Sequence, residues 1–128
     1  MVFLDANILL EIILKNRAKR PQVKEYLESL SKSNDFASIS MLTANLIMHF
    51  GRKEQIDDDL LLDVIDENEL LTLSSEDYKW ALIHEQRKDF EDALQVSVAI
   101  RSGCDTFVTL DSNLAKAYAD APINIVTI

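Results

Sequence analysis

V2-F3-L4-D5-A6-N7 decides the reading of this chain. Residues 2–5 form a short apolar run ending in an acid, the pattern of a buried strand. Ile8, Leu9, Ile12 and Ile13 then recur at helical spacing, which predicts a helix from about Ala6 to Lys15. The acid therefore sits where a strand hands over to a helix.

The same kind of junction recurs along the chain. F36-A37-S38-I39 reads as a second strand, with Ser40 as N-cap of a helix through His49 that carries Asn45 and has Gly51 near its end. T106-F107-V108-T109 reads as a strand leading into L110-D111-S112-N113 and a short helix to Ala119. Asp89 opens a helix in D89-F90-E91-D92-A93, and Gly103 stands in the usual place just past its end.

The remaining segments fit the alternation. Asn16–Arg20 is a polar loop, and Pro21 suits the first turn of a helix containing Val23, Tyr26, Leu27 and Leu30. A helix with an acidic outer face spans 54–67, carrying Leu60, Leu61, Val64 and Ile65. L70-L71-T72-L73 is a strand, S74-S75-E76-D77 a helix cap, and 123–128 a final strand. Short apolar strands alternating with helices imply an α/β fold. We expect a single domain over residues 1–128, a three-layer α/β/α sandwich around a mainly parallel sheet. Ligands of such sheets bind at the carboxyl ends of the strands, where Asp5 and Asp111 fall.

Composition narrows the class. With 128 residues, 48% apolar, and only 2 Gly and 2 Pro, the chain has the composition of a helix-rich globular domain. No apolar run reaches the ~20 residues of a membrane span, and the N-terminus lacks a basic leader, so a cytoplasmic protein is expected. One cysteine, Cys104, excludes an internal disulfide and fits a reducing compartment. The net charge of -9 argues against binding nucleic acid by bulk electrostatics. The cations cluster at Lys15, Arg17, Lys19 and Arg20, with smaller pairs at Arg52-Lys53 and Arg87-Lys88; they could form a basic rim that holds a phosphate chain, or be solvated charges on helix faces.

Asp5, Asp92 and Asp111 could converge on one pocket if the strands near Asp5 and Asp111 are neighbours. Converging carboxylates repel unless a cation lies between them, and hard oxygen ligands suit Mg²⁺ or Mn²⁺, ions that bind phosphates. That points to metal-assisted phosphodiester chemistry. Each acid also has a bland role: Asp5 as a helix cap, Asp89 and Asp92 as a cap and a first-turn acid, Asp111 as a turn residue, with Thr109 an ordinary strand residue. Asn7 could hold the Asp5 carboxylate or a phosphate.

Taken together, V2-F3-L4-D5-A6-N7, the helix of Asn45, K88-D89-F90-E91-D92-A93-L94-Q95 and T109-L110-D111 resemble the PIN-domain nucleases, especially the toxin-type, VapC-like branch. The resemblance covers essentially the whole chain. It implies a parallel sheet, Mg²⁺ or Mn²⁺, and cleavage of RNA by a metal-activated water. It also makes Asp5, Asp92 and Asp111 the metal-site acids, with Asn7, Asp89 and Thr109 in support. Asn45 stands where most of the family has glutamate, and a neutral amide adds no charge. Glu11, one turn beyond Asn7, is a possible compensating acid. The resemblance further implies a homodimer paired through helices and an antitoxin segment placing a basic residue in the acid cluster. The stripes Val23–Leu30 and Leu60–Ile65 are the surfaces expected to serve association. The alternatives are a catalytically weakened PIN-like module that binds RNA or a protein and, ranked third, a DNA-directed nuclease. His49, His84, Cys104, Tyr78 and Trp80 read as structural. No phosphate-binding Gly-rich loop or G-x-S-x-G is present.

Overall fold

Residue types choose the elements, and the elements meet along one sheet. The computed structural model describes residues 1–128, in the order β1 (Val2–Leu4), α1 (Ala6–Ile13), α2 (Arg20–Lys32), β2 (Ala37–Ser40), α3 (Met41–Lys53), α4 (Asp58–Asp66), β3 (Glu69–Leu71), α5 (Ser75–His84), α6 (Phe90–Arg101), β4 (Thr106–Thr109), α7 (Ser112–Ala117) and β5 (Asn124–Thr127). The five strands pair in the order β3-β2-β1-β4-β5, every pair parallel.

Successive strand residues point to opposite faces, and this splits the core in two. Val2, Leu4, Ile39 and Val108 pack with Ile8, Val23, Ile47 and Leu61, so α1–α4 cover one face. Phe3 and Phe107 pack with Ala81, Ala93, Val96, Val98 and Leu114, so α5–α7 cover the other. The Phe3 and Phe107 rings stack with centroids 5.2 Å apart. This is the expected three-layer sandwich, and the sheet is wholly parallel. The chain winds outward from β1 to β3, then returns on the opposite face to β4. The strand order therefore switches between β1 and β4, and the crevice where such sheets bind ligands falls beyond their carboxyl ends.

Three expectations need correction. α3 does not stop near His49 but runs through Gly51 to Lys53. Gly51 is a packing residue there: a Cβ would lie 2.4 Å from Leu61 Cδ2, so only glycine lets α4 approach. The following helix starts at 58, not 54, because Gln55 adopts φ 61° and Asp57 caps α4 by accepting from Asp59 N. The two apolar stripes are mostly core: Val23 and Leu61 are fully buried and Ile65 nearly so, with Leu60 the outward exception. The large apolar side chains left most exposed are Phe36, Leu82 and Ile83.

Gly103 behaves as expected, with φ 77° one residue past the α6 C-cap. α5 is locked to α6 by a buried carboxylate. Asp77 accepts from Ser74 N at its own helix start, from Ser97 Oγ, and from both Nε and Nη2 of Arg101. Burial alone would raise the Asp77 pKa, but Arg101, Ser74 and Ser97 together hold it below the usual value.

Candidate active site

β1 and β4 are hydrogen-bonded neighbours, and Asp5 N donates to Val108 O just past the end of β1. Asp5 is the N-cap of α1, its Oδ1 accepting from Ala6 N at 2.8 Å. Its other oxygen is held by Thr109 Oγ1 at 2.7 Å and Asn7 Nδ2 at 3.1 Å. Thr109 Oγ1 in turn accepts from Asp111 N, and Asn7 Oδ1 accepts from Leu110 N. Asp5, Asn7, Thr109 and the Asp111 backbone thus form one network across the crevice. Capping and site-building are both served by the same Asp5 carboxylate.

Asp111 caps α7, with Oδ1 accepting from Asn113 N and Leu114 N, and its Oδ2 left toward the crevice. Asp89 caps α6 by accepting from Asp92 N. Asp92 is half-buried in the first turn of α6, where its Oδ2 meets Arg87 Nη2 at 3.0 Å. The same Nη2 lies 3.4 Å from Asp111 Oδ2. Arg87 thereby joins the α6 acid to the α7 acid. It comes from the Glu85–Asp89 connection, whose Gln86 N donates to Tyr118 Oη.

Burial pushes the Asp5 carboxyl up to about 6; the hydrogen bonds from Thr109 and Ala6 oppose this, and Asp111 and Glu91 add to it. Asp92 rises further, to about 7, first by burial and then by the charges of Asp89 and Asp5. Asp111 goes the other way: its burial is outweighed by the Leu114 and Asn113 amides and by Arg87. The crevice therefore holds more negative charge than Arg87 neutralises.

No three His, Cys, Asp or Glu side chains form a ready-made metal cage, and the position between Asp92 and Asp111 is taken by the Arg87 guanidinium. The donor set nonetheless suits a hard divalent ion. It is all carboxylate oxygen, the ligand type such ions take.

The other expected residues divide. Asn45 is exposed on α3 and hydrogen-bonds to none of these groups. Glu11 is buried, but its Oε1 accepts from Lys19 N at 2.7 Å, fixing the turn into α2. His49 lies edge-on to Phe50 on the surface. Cys104 is in the core against Ser38 Oγ, with burial raising its thiol pKa. Two features escaped the sequence reading. Arg87 is one; the K88-D89 run signals a helix start, not an arginine folded back onto it. The other is a buried bracket in which Ser40 Oγ donates to Gln95 Oε1 and Gln95 Nε2 donates to Thr43 Oγ1. Gln95 lies one turn beyond Asp92, and the bracket ties that helix to the start of α3. Polar residues in an apolar helix face at 95 and 97 were the available signal.

A PIN domain family model matches residues 2–120. Among solved structures, a toxin–antitoxin complex from Klebsiella pneumoniae superposes with TM-score 0.77 at 19% identity, covering 99% of this chain and 97% of that one. VapBC2 from Rickettsia felis, bound to a DNA fragment from its promoter, gives 0.68 at 21%, covering 100% and 99%. FitAcB from Neisseria gonorrhoeae gives 0.65 at 16%, covering 99% and 97%. None of the curated proteins matches.

Proposed function

Because the chain belongs to the PIN-domain family, whose members are nucleases, we propose that it is a metal-dependent endoribonuclease and the toxin of a toxin–antitoxin pair. One observation carries the reading. Asp5, Asp92 and Asp111, drawn from three separate junctions, are linked by short contacts: Thr109 Oγ1 donates to Asp5 and accepts from Asp111 N, and Arg87 bridges Asp92 and Asp111.

In this reading Asp5, Asp92 and Asp111 hold Mg²⁺ or Mn²⁺. Such an ion supplies Lewis acidity, lowering the pKa of a bound water and offsetting charge on the attacked phosphate. Thr109 and Asn7 fix the Asp5 carboxylate by two hydrogen bonds, so its donor oxygen needs no reorganisation. Asp89 sets the first turn of α6 and with it the place of Asp92. The toxin assignment rests on the fold likeness to toxin–antitoxin assemblies, and with it come an antitoxin partner and a homodimer.

The test is cleavage of a fluorescent single-stranded RNA. Activity should need Mn²⁺ or Mg²⁺, stop with chelator, and disappear in Asp92→Asn. Cleavage that survives Asp92→Asn would sink the reading. A second reading, a PIN-like module that binds RNA or a protein without cutting it, is favoured by Asn45 and by Arg87 in the crevice. It predicts RNA binding with no cleavage under any divalent ion.

A further inference from the structure

Beside the Glu85–Asp89 connection lies a cleft of about 240 Å³ lined by Trp80, His84, Gln86, Tyr118, Asp120 and Ala121. Its aromatic wall is pre-arranged. The Trp80 and His84 rings stack at 4.2 Å and 18°, His84 Nδ1 is fixed to Trp80 O at 2.9 Å, and Tyr118 lies beyond Trp80 at 6.3 Å. Trp80 is only half-buried and His84 is exposed, so the stack is more than core filling.

One residue of backbone separates the lining of the cleft from the acid site. Gln86 lines the cleft and is anchored there by the Tyr118 hydroxyl, and the next residue, Arg87, reaches Asp92 and Asp111. We infer that this cleft takes a nucleobase of a single-stranded RNA whose neighbouring phosphate lies over the acids. The inference rests on the nuclease reading and adds a substrate subsite to it.

Chemistry selects the base over other occupants. A phosphate is disfavoured by Asp120 at the rim, where no lysine or arginine lines the cleft. A flat ring can continue the His84–Trp80 stack, and Gln86 and Asp120 offer polar groups to its edge. Stacking on aromatic side chains is tolerant of base identity and depends on an unpaired strand, which directs the cleft to single-stranded RNA.

Trp80 is the only tryptophan in the chain, so its fluorescence reports on this cleft. The probe is a five-nucleotide 2′-O-methyl RNA, resistant to cleavage, titrated in Mn²⁺ while anisotropy of an end label reports binding independently. Binding should bring a saturable change in Trp80 emission, and an oligonucleotide with an abasic unit at one position should bind without it. His84→Ala, a surface change, should weaken binding about tenfold, and Ala121→Leu, which narrows the cleft, should do the same while leaving the stack. Binding by anisotropy with no change in Trp80 emission, or with unchanged affinity in both variants, overturns the cleft and leaves the nuclease reading standing. No binding of the probe together with no divalent-dependent cleavage of ordinary RNA overturns both.

Discussion

The Arg87 guanidinium stands 3.0 Å from the Asp92 carboxylate, in the place a cation between the acids would take. It is delivered by unusual backbone, since Arg87 and Lys88 both have φ 56° and neither is glycine. Left-handed residues of this kind cost about 1 kcal/mol each. The ion pair is partly exposed and cannot by itself contribute much more than that. On the proposed reading, Arg87 would compete only weakly with a divalent ion for Asp92 and Asp111. Arg87→Gln should tighten Mn²⁺ binding several-fold by calorimetric titration; weaker binding would show that Arg87 supports the metal site instead.

The two raised carboxyls set a pH dependence. Asp5 and Asp92 titrate near 6 and 7 in the folded chain, against about 3.9 unfolded. Between about pH 4 and 7 the folded state therefore binds more protons than the unfolded state, and stability falls as pH rises. Asp5 alone accounts for a loss on the order of 3 kcal/mol, roughly 12 °C of melting temperature, and the more exposed Asp92 adds to it. Asp92→Asn should flatten this slope in metal-free buffer and leave stability at pH 7.5 equal or slightly higher. Mn²⁺ should restore the wild type at pH 7.5 and not the variant.

Much of this was legible before the fold was known, for identifiable reasons. Strands buried on both faces, as at Val2–Leu4 and Thr106–Thr109, give runs that need no partner to recognise, and a parallel sheet puts their carboxyl ends on one side. That placed Asp5 and Asp111 together. Asp92 followed from the cap at Asp89. Contacts between residues distant in sequence left no such trace. The Gly51–Leu61 approach looks like a helix end in the sequence. The stripes at Val23 and Leu61 read as surfaces because one-dimensional periodicity does not say which helix covers which. Arg87 reaches its acids through two left-handed residues, a conformation that arginine and lysine do not announce.

Asn45 is exposed and makes no hydrogen bond to the acid network, so a substitution there has little to disturb. Asn45→Glu adds an anion on the helix that Ser40 starts and Gln95 ties to α6. If that face borders the metal, Mn²⁺ affinity should rise about fivefold, the effect of roughly one kcal/mol from a charge in a partly solvated site. Unchanged affinity would place position 45 outside the metal site.

Asp77 and Arg101 separate stability from activity. Asp77 is fully buried, and Arg101 gives it two donor nitrogens while its Nη2 also donates to Thr72 O. Removing the guanidinium leaves a buried carboxylate with the Ser97 hydroxyl and the amide and hydroxyl of Ser74. Complete loss of a buried pair costs about 3–5 kcal/mol, and Arg101 is partly exposed, so Arg101→Ala should cost about 2 kcal/mol. For a chain of this size that is roughly 8 °C of melting temperature. The Asp77 pKa is lowered in the fold, so its contribution is present above about pH 4 and fades as pH falls below it. Arg101→Ala should therefore lose most at neutral pH and least in acid. Arg101 lies in the last turn of α6 and Asp92 in the first, so cleavage per folded molecule should be unchanged at 20 °C. A fall in activity without a fall in melting temperature would instead tie this pair to the placement of Asp92.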